Sequence, residues 1–274
     1  MSTVSRPTDT KLNHLQTILP EGVVFSSHQL SASTYSRQLV QKYVAGGWLL
    51  RLGRGAYRRP GAPLKWENVA YSLQQMKLPF YPGGETALGL VGRAHQLPAS
   101  GRQTVHIYGS AKLPLWVAKA VSDVRFRHHA EELFDEPPPF WSRTHGSTLI
   151  SDPTWEPYRW GAWDWNIHIS CAERAWLEFL QDVPAKAGFD EADELASGLR
   201  TLRPKLMEAL LGRCTSFKVK RLAFWLGERH HHAWVSKINR ESISLGEGKR
   251  SLAPGGRLIK RYNITVPRHL ASDV

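Results

Sequence analysis

The chain has 274 residues, of which 42% are hydrophobic, and a formal net charge of +12. This length fits one large or two small domains with a buried core. The sequence has no apolar run near the ~20 residues that cross a bilayer and no signal peptide, so we expect a cytoplasmic protein without a membrane partner. Its two cysteines, Cys171 and Cys214, lack the spacing of a metal site or a disulfide framework and predict free thiols.

Basic residues concentrate towards both ends of the sequence. Residues 1–62 contain 8 Lys and Arg against 2 Asp and Glu, residues 63–199 contain 12 against 17, and residues 200–274 contain 16 against 5. A basic first segment before a body with its own basic surface is typical of nucleic-acid-binding proteins. Ordinary solvated charge is the alternative, and it stays open for the C-terminal cluster.

The N-terminal segment predicts three helices. KLNHLQTIL, at residues 11–19, has leucines along one helical side and is followed by Pro20. SSHQL predicts a short helix capped by Ser26, and SAS predicts a turn. A cap at Ser33 then opens a third helix, TYSRQLVQKYVAGG, which the glycine pair closes.

The third predicted helix has one apolar and one polar side. On a helical wheel the first arc contains Ser36, Leu39, Val40 and Tyr43, and the opposite arc contains Thr34, Arg37, Gln38 and Gln41, with Lys42 at its edge. Arg, Gln and Thr side chains can hydrogen-bond to base edges in the major groove of DNA. The polar arc therefore predicts a recognition helix.

The segment GGWLLRLGRGAYRRP, residues 46–60, predicts a β-hairpin. Gly53 and Arg54 form a two-residue turn with glycine first, as a type II′ turn requires. Pairing outward from that turn places on the packing face Trp48, Leu50, Leu52 and Tyr57, and on the opposite face Leu49, Arg51 and Arg58. Arg54 would stand at the tip.

Together these elements predict a winged helix-turn-helix over residues 1–62, with the hairpin as the wing. The predicted partner is double-stranded DNA, and the predicted contact residues are Thr34, Arg37, Gln38, Gln41, Lys42, Arg51, Arg54 and Arg58. A basic module that is merely solvated, or that binds protein, is the alternative.

Residues 63–274 predict a larger domain of mixed α+β class. Helices are predicted around residues 66–76 and 85–94, strands at QTVHIYGS and DVRFRHH, and four more helices between residues 171 and 228. Ser170 and Glu173 predict a capping box for the first of these four helices. The last segment returns to strands joined by a glycine-rich, basic loop.

Prolines and tryptophans crowd residues 131–166. Five of the 11 tryptophans lie between Trp141 and Trp165. They predict either a packed loop layer or an exposed aromatic docking surface. Packing is favoured because tryptophan side chains usually pack against the hydrophobic core.

The sequence predicts no catalytic residues, no metal and no cofactor. LGEGKRS fails the phosphate-loop pattern, because one residue separates its glycines and Lys249 is followed by Arg250. No G-x-S-x-G motif or activated cysteine stands out. The adjacent histidines, His128 with His129 and the run at 230–232, predict surface clusters, because consecutive residues rarely point at one metal ion.

The order of several segments resembles a known family. They are GGWLLRLGRGAYRRP, YPGGETALGLVGRAHQLP, ISCAERAWLEFL, LRPKLMEALLGRCTSFKVKRLAFWL, LGEGKRSL and YNITVP, within residues 12–267. The chain is similar to AbiEi-type proteins, the antitoxin and transcriptional regulator components of type IV toxin-antitoxin systems from abortive-infection loci.

The resemblance implies two functions. The winged helix would repress its own promoter at inverted repeats, and the body would counteract a nucleotidyltransferase-like toxin encoded alongside, without requiring a stable complex. For this antitoxin function the sequence offers basic candidates, namely Lys218, Lys220, Arg221, Lys249 and Arg250.

Two other classes of function remain as alternatives. A one-component regulator would sense a small ligand in a Trp-lined body, and its operator affinity would change with that ligand. An enzyme acting on nucleic acid would need a metal or carboxylate cluster, which the sequence does not reveal.

Overall fold

The computed structural model describes residues 13–17, 19–92, 102–130, 132–134, 152–161 and 165–271. It is an α+β fold, with an N-terminal winged helix-turn-helix followed by a larger mixed body, as predicted. The elements of the N-terminal module are α1 (13–17), β1 (Val24–Ser26), α2 (Ser27–Ala32), α3 (Arg37–Ala45), β2 (Leu50–Gly53) and β3 (Ala56–Arg58).

The wing belongs to a three-stranded antiparallel sheet with the order β1-β3-β2. Tyr57 of β3 lies opposite Phe25 of β1 on one side and opposite Arg51 of β2 on the other. The sequence does not predict β1, because a strand of three residues is too short to show a period of two. The structure identifies β1 by its antiparallel pairing with β3.

The predicted register of the hairpin is wrong by one residue. Arg54 and Gly55 form the turn, Gly53 pairs with Ala56, and a bulge follows Arg51. Because side chains alternate between the two faces of a strand, a register shift of one residue exchanges the side chains that pack with those that face solvent. Leu49 is buried, whereas Trp48 is 47% exposed and Leu50 is 39% exposed. The positive φ of +70° belongs to Gly55, the second turn residue.

The third helix begins later than predicted. Ser36 is its N-cap, and the Ser36 Oγ accepts a hydrogen bond from the Leu39 amide at 3.2 Å. Ser33 instead ends α2, because its amide donates to the Gln29 carbonyl. Thr34, with a φ of 67°, lies in the turn between the helices and not on α3. The cap of α2 at Ser26 is confirmed.

The body begins with a helix and a mixed sheet. Its first elements are α4 (Trp66–Gln75), β4 (Tyr81–Pro82), α5 (Gly84–Leu90), β5 (Gln103–Tyr108), α6 (Val117–Ala120) and β6 (Val124–His129). The strand order is β4-β5-β6, and β5 runs parallel to β6. α5 ends before the predicted end at residue 94, which lies outside the described residues.

A hairpin, a helical layer and a small sheet complete the body. They comprise β7 (Trp155–Trp160), β8 (Trp165–Ser170), α7 (Ala172–Asp182), α8 (Phe189–Gly198), α9 (Pro204–Arg213), α10 (Phe217–Arg229), α11 (Ala233–Lys237), β9 (Arg250–Ser251), β10 (Arg257–Ile259) and β11 (Ile264–Val266). Short 3-10 helices lie at Arg240–Ser242 and Arg268–Leu270. The order in the last sheet is β10-β11-β9.

Helix α7 lies in the core of the body. The predicted apolar stripe is confirmed, since Ala172, Ala175, Trp176 and Phe179 are buried. The predicted capping box is wrong: Cys171 is the N-cap, the Ser170 hydroxyl donates to Glu178, and Glu173 binds Arg203. Both cysteines are buried free thiols, as predicted.

The winged helix packs directly on the body. The Val24 amide of β1 donates to the Ser72 hydroxyl of α4 at 2.8 Å. Trp165 of β8 belongs to the same apolar cluster as Leu15, and its ring stacks on Tyr71 with centroids 4.9 Å apart. The two parts of the chain therefore share buried surface.

The tryptophan-rich segment is partly described. Trp155 and Trp165 are buried in the hairpin of β7 and β8, which favours packing over an exposed docking surface for these two rings. Residues 135–151 and 162–164, with Trp141 and Trp163, lie outside the described residues. Within the described ranges, every helix is too short or too polar to span a membrane.

Candidate nucleic-acid interface

Helix α3 presents a polar surface to solvent because its other side is anchored in the core of the module. Tyr35, Val40 and Tyr43 are buried among residues of α1, α2 and β1. Each of the polar residues predicted along this helix is exposed: Arg37, Gln38, Gln41 and Lys42. Thr34 is also exposed, on the preceding turn.

The wing carries arginines with different local contacts. Arg54 is exposed in the turn, as predicted for the tip. Arg51 is also exposed, and its Nε donates to the Gly53 carbonyl at 3.3 Å. Arg58 is half-buried and donates to the Ala62 carbonyl at 2.8 Å, so it holds the segment that leaves β3. Of the three, Arg54 is the best placed to reach a ligand.

The C-terminal basic residues are less exposed than predicted. Arg221 is 1% exposed, and its guanidinium donates to the carbonyl oxygens of Leu245, Gly246, Glu247, Gly248 and Asn263, over distances of 2.7 to 3.2 Å. It therefore fixes the glycine-rich loop from inside. Lys220 is 6% exposed. The predicted surface position is therefore wrong for Arg221 and Lys220, which lie in the interior.

Lys218 also makes internal contacts. Its Nζ donates to the carbonyl oxygens of Gln181 and Val183 at the end of α7, at 2.6 and 2.7 Å. Burial lowers the pKa of Lys218. Lys249 and Arg250 remain exposed, on the loop that Arg221 holds. The exposed part of the predicted antitoxin surface is therefore this loop.

A cluster of buried titratable side chains lies in the body, where the sequence predicts none. His106 on β5 and His129 at the end of β6 are each 6% exposed, and His106 Nδ1 lies 3.1 Å from His129 Nε2. His106 Nε2 faces the Glu85 carboxylate at 3.4 Å, and His129 Nδ1 faces the Asp182 carboxylate at 3.4 Å. The predicted surface position is therefore wrong for His129, whereas His128 is exposed as predicted.

The surroundings shift the pKa values of this cluster. Burial lowers the pKa of His106 to about 4, and the neighbouring His129 adds to that effect. Burial raises the pKa of Glu85. Burial alone would raise the pKa of Asp182 too, but the hydrogen bonds and positive charges of His129 and Lys186 together outweigh burial, so the Asp182 pKa is lowered.

A cavity of about 200 Å³ borders the cluster. His129 and Asp182 line it together with Tyr81, Tyr108, Glu178 and Lys186, among others. The Tyr108 ring stacks on His129 with centroids 4.5 Å apart. Sequence reasoning misses this site because its members come from four elements, and only the parallel pairing of β5 with β6 brings the histidines together.

The histidine run at 230–232 is also partly internal. His230 lies 2.7 Å from Asp193, and His232 is 5% exposed with its Nε2 2.8 Å from the Ala196 carbonyl. Only the exposed His231 fits the predicted surface position.

Comparison with protein families matches nearly the whole chain. Residues 8–99 match the family described as "Transcriptional regulator, AbiEi antitoxin N-terminal domain", and residues 102–267 match "Transcriptional regulator, AbiEi antitoxin, Type IV TA system". The chain belongs to the AbiEi antitoxin family. The resemblance inferred from the ordered segments is confirmed, and the chain is a member of a family of transcriptional regulators and antitoxins.

A solved structure shares the fold of this AbiEi-family chain. The Rv2827c protein from Mycobacterium tuberculosis superposes with a TM-score of 0.51 at 15% sequence identity, over 94% of this chain and 90% of that one. At this identity the similarity concerns the fold alone. The search of curated proteins finds no match.

Two of the glycine-containing family segments have structural explanations. In YPGGE, a Cβ on Gly83 would lie 2.4 Å from the Glu178 carboxylate, and one on Gly84 would lie 2.5 Å from the Tyr108 hydroxyl. In LGEGK, the loop carbonyls gather around Arg221. Both segments shape the interior of the AbiEi-type body.

Proposed function

We propose that this AbiEi-family protein is a DNA-binding autorepressor that also counteracts a nucleotidyltransferase-like toxin encoded beside it. Residues 1–62 would bind the promoter, and residues 63–274 would act against the toxin. The observation that carries the DNA-binding part is that α3 exposes Arg37, Gln38 and Gln41 from a fully formed winged helix.

The two elements of the module suit different parts of a DNA duplex. In winged helix-turn-helix proteins the recognition helix enters the major groove, where Arg and Gln read base edges. An exposed arginine at a hairpin tip, such as Arg54, suits phosphate or the minor groove. We therefore assign sequence reading to α3 and positioning to the wing. Thr34, on the turn before α3, is assigned to phosphate contact.

The basic module suits an acidic ligand. Residues 1–62 carry 8 basic and 2 acidic residues, so their formal charge is +6. Such a charge attracts DNA of any sequence and makes binding depend strongly on salt. The exposed polar side chains of α3 would add the preference for the protein's own operator, for which we propose inverted repeats.

The antitoxin part rests on the family and on the exposed basic loop of Lys249 and Arg250. The loop is rigidly held by Arg221, so its charges have a defined position. We assign no catalytic role to this protein in the opposition to the toxin and require no stable complex.

The test has two arms. Binding of the full-length protein to its own promoter is measured by fluorescence anisotropy against a shuffled duplex, and rescue of cells is measured with the neighbouring gene expressed as the toxin. We expect tighter binding to the promoter and rescue that survives Arg37→Ala. Equal affinity for both duplexes would contradict autorepression, and failure to rescue would contradict the antitoxin function.

A ligand-sensing regulator remains the second candidate, because the body contains the cavity next to His129. Among the described residues, its lining is mostly polar and includes two tyrosines, whereas the sequence predicts a lining of tryptophans. A small molecule that changes promoter affinity, with no toxin gene adjacent, would favour it.

A further inference from the structure

Contacts within the histidine cluster of the body depend on which ring nitrogens carry a hydrogen. Its members form a line from Glu85 through His106 and His129 to Asp182, with gaps of 3.4, 3.1 and 3.4 Å. Each neutral imidazole carries one N–H and one lone pair. Two neutral rings therefore supply two protons for three gaps.

The carboxylates determine where those protons are best placed. An ionised carboxylate only accepts hydrogen bonds, so the ring nitrogen facing it is best protonated. This applies to His106 Nε2 beside Glu85 and to His129 Nδ1 beside Asp182. The lone pairs of His106 Nδ1 and His129 Nε2 would then face each other across 3.1 Å. A cation between them would remove this repulsion.

The same arrangement is typical of metal-bound histidines. A histidine that ligates a metal usually donates its second N–H to a carboxylate, which fixes the ring. Two nitrogens bound to one tetrahedral zinc ion at 2.0–2.1 Å stand about 3.3 Å apart, close to the separation of these two. One ligand atom each of His106, His129 and Asp182 lie within 4.8 Å of one another.

The surroundings leave room for a further ligand. His129 and Asp182 line the cavity, from which water could complete a coordination shell. Tyr108, stacked on His129, has a buried hydroxyl without a hydrogen-bond partner among the described residues. Lys186 opposes a metal ion electrostatically, since its Nζ lies 3.4 Å from Asp182 Oδ1. It contacts the carboxylate oxygen other than the one facing His129, and its side chain is 55% exposed.

We propose that His106 Nδ1 and His129 Nε2 bind a divalent transition metal ion, zinc by preference, with Glu85 orienting His106, Asp182 orienting His129, and water from the cavity completing the coordination shell. Imidazole ligands suit Zn²⁺, whereas Mg²⁺ and Ca²⁺ prefer oxygen ligands alone. The site lies apart from α3 and the wing, so it is independent of the proposed DNA contacts.

The test measures metal content and metal spectroscopy of the full-length protein. After equilibration with zinc and gel filtration, we expect about one zinc ion per chain. Replacement by Co²⁺ should give the visible absorption of a tetrahedral site with nitrogen and oxygen ligands. Glu85→Gln, which is partly exposed and leaves the ligands in place, should weaken zinc binding by about 10- to 100-fold.

His106→Gln should abolish both the stoichiometric zinc and the cobalt spectrum. His232→Gln is the matched control, because His232 is equally buried but lies outside the cluster. Circular dichroism identifies variants that do not fold. Wild-type protein that keeps no zinc after gel filtration, or a His232→Gln variant that loses as much as His106→Gln, would overturn the proposal in favour of a hydrogen-bonded chain.

Discussion

The carboxylate of Glu178 accepts a hydrogen bond from the backbone amide of Gly84, with 2.9 Å between nitrogen and oxygen. Glu178 also binds Arg174, four residues earlier on α7, at 2.9 Å, and both side chains are 2% exposed. The Arg174 guanidinium lies over the rings of Phe134 and Trp155, at 4.4 and 4.3 Å. A buried charge of this kind is tolerated only when its partners are in place.

Gly84→Ala is expected to destabilise the protein. Gly84 has a φ of +52°, and a Cβ there would lie 2.5 Å from the hydroxyl of the buried Tyr108. We expect a loss of about 2–4 kcal/mol in the free energy of unfolding. Gly89→Ala, in the same helix but with open space at its Cβ, should stabilise by about 0.5–1 kcal/mol. Urea denaturation measures both, and equal effects would refute the explanation of the glycine pair.

Leu49→Ala and Leu50→Ala distinguish the observed hairpin register from the predicted one. Leu49 is 1% exposed and Leu50 is 39% exposed. Truncating a buried leucine costs about 2–5 kcal/mol, so Leu49→Ala should fall in that range. Leu50→Ala should cost less than about 1 kcal/mol. Thermal and urea unfolding provide the measurement. A larger loss of stability for Leu50→Ala than for Leu49→Ala would favour the register predicted from the sequence.

Arg37→Ala and Arg54→Ala should affect DNA binding differently. Arg37, on α3, is expected to contribute about 1–3 kcal/mol to binding of the operator and to sequence preference. Arg54, at the wing tip, should weaken binding to all sequences and reduce the salt dependence by about one unit of slope. Anisotropy titrations at several salt concentrations separate the two effects.

Lys205→Ala is the control for those titrations, because it removes one exposed positive charge outside the N-terminal module. It should leave operator affinity nearly unchanged. Equal losses on operator and shuffled DNA for both arginine variants would contradict the assignment of reading to α3 and positioning to the wing.

His232 should contribute to the loss of stability in acid. Burial lowers the pKa of His232 below 6.5, its ordinary value. The unfolded chain then binds a proton that the folded chain does not, so the free energy of unfolding falls as the pH decreases below 6.5. The free energy of unfolding continues to fall until the pH reaches the lowered pKa of His232 in the folded state. Above pH 6.5 the contribution of His232 to stability is fully present.

His232→Gln removes this titration and should flatten the stability curve below pH 6.5. His28→Gln, at an exposed position on α2, is the matched control for the histidine-to-glutamine substitution itself. Urea unfolding between pH 7 and pH 5 provides the curves. An unchanged slope in His232→Gln would show that His232 titrates alike in both states.

The sequence by itself determined the elements with strong local signals. Ser26 and Gln29 make both halves of a capping box, so α2 could be predicted from neighbouring residues. Arg37, Gln38 and Gln41 share an exposed side because a helix repeats every 3.6 residues. The order of the family segments also identified the family, which needs no coordinates.

Tertiary structure decided whatever depends on contacts between distant residues. Gly53 and Gly55 flank Arg54, so the local sequence allows a turn at Gly53-Arg54 or at Arg54-Gly55. The burial of Leu49 and Ala56 selected the second of these registers. Arg221 and Lys218 look like surface charges in sequence, but carbonyls 24 and 35 residues away enclose them. The line from His106 through His129 to Asp182 requires the parallel pairing of β5 with β6 and the end of α7 beside them. Periodicity and capping act over a few residues, whereas burial and strand pairing act across the whole fold.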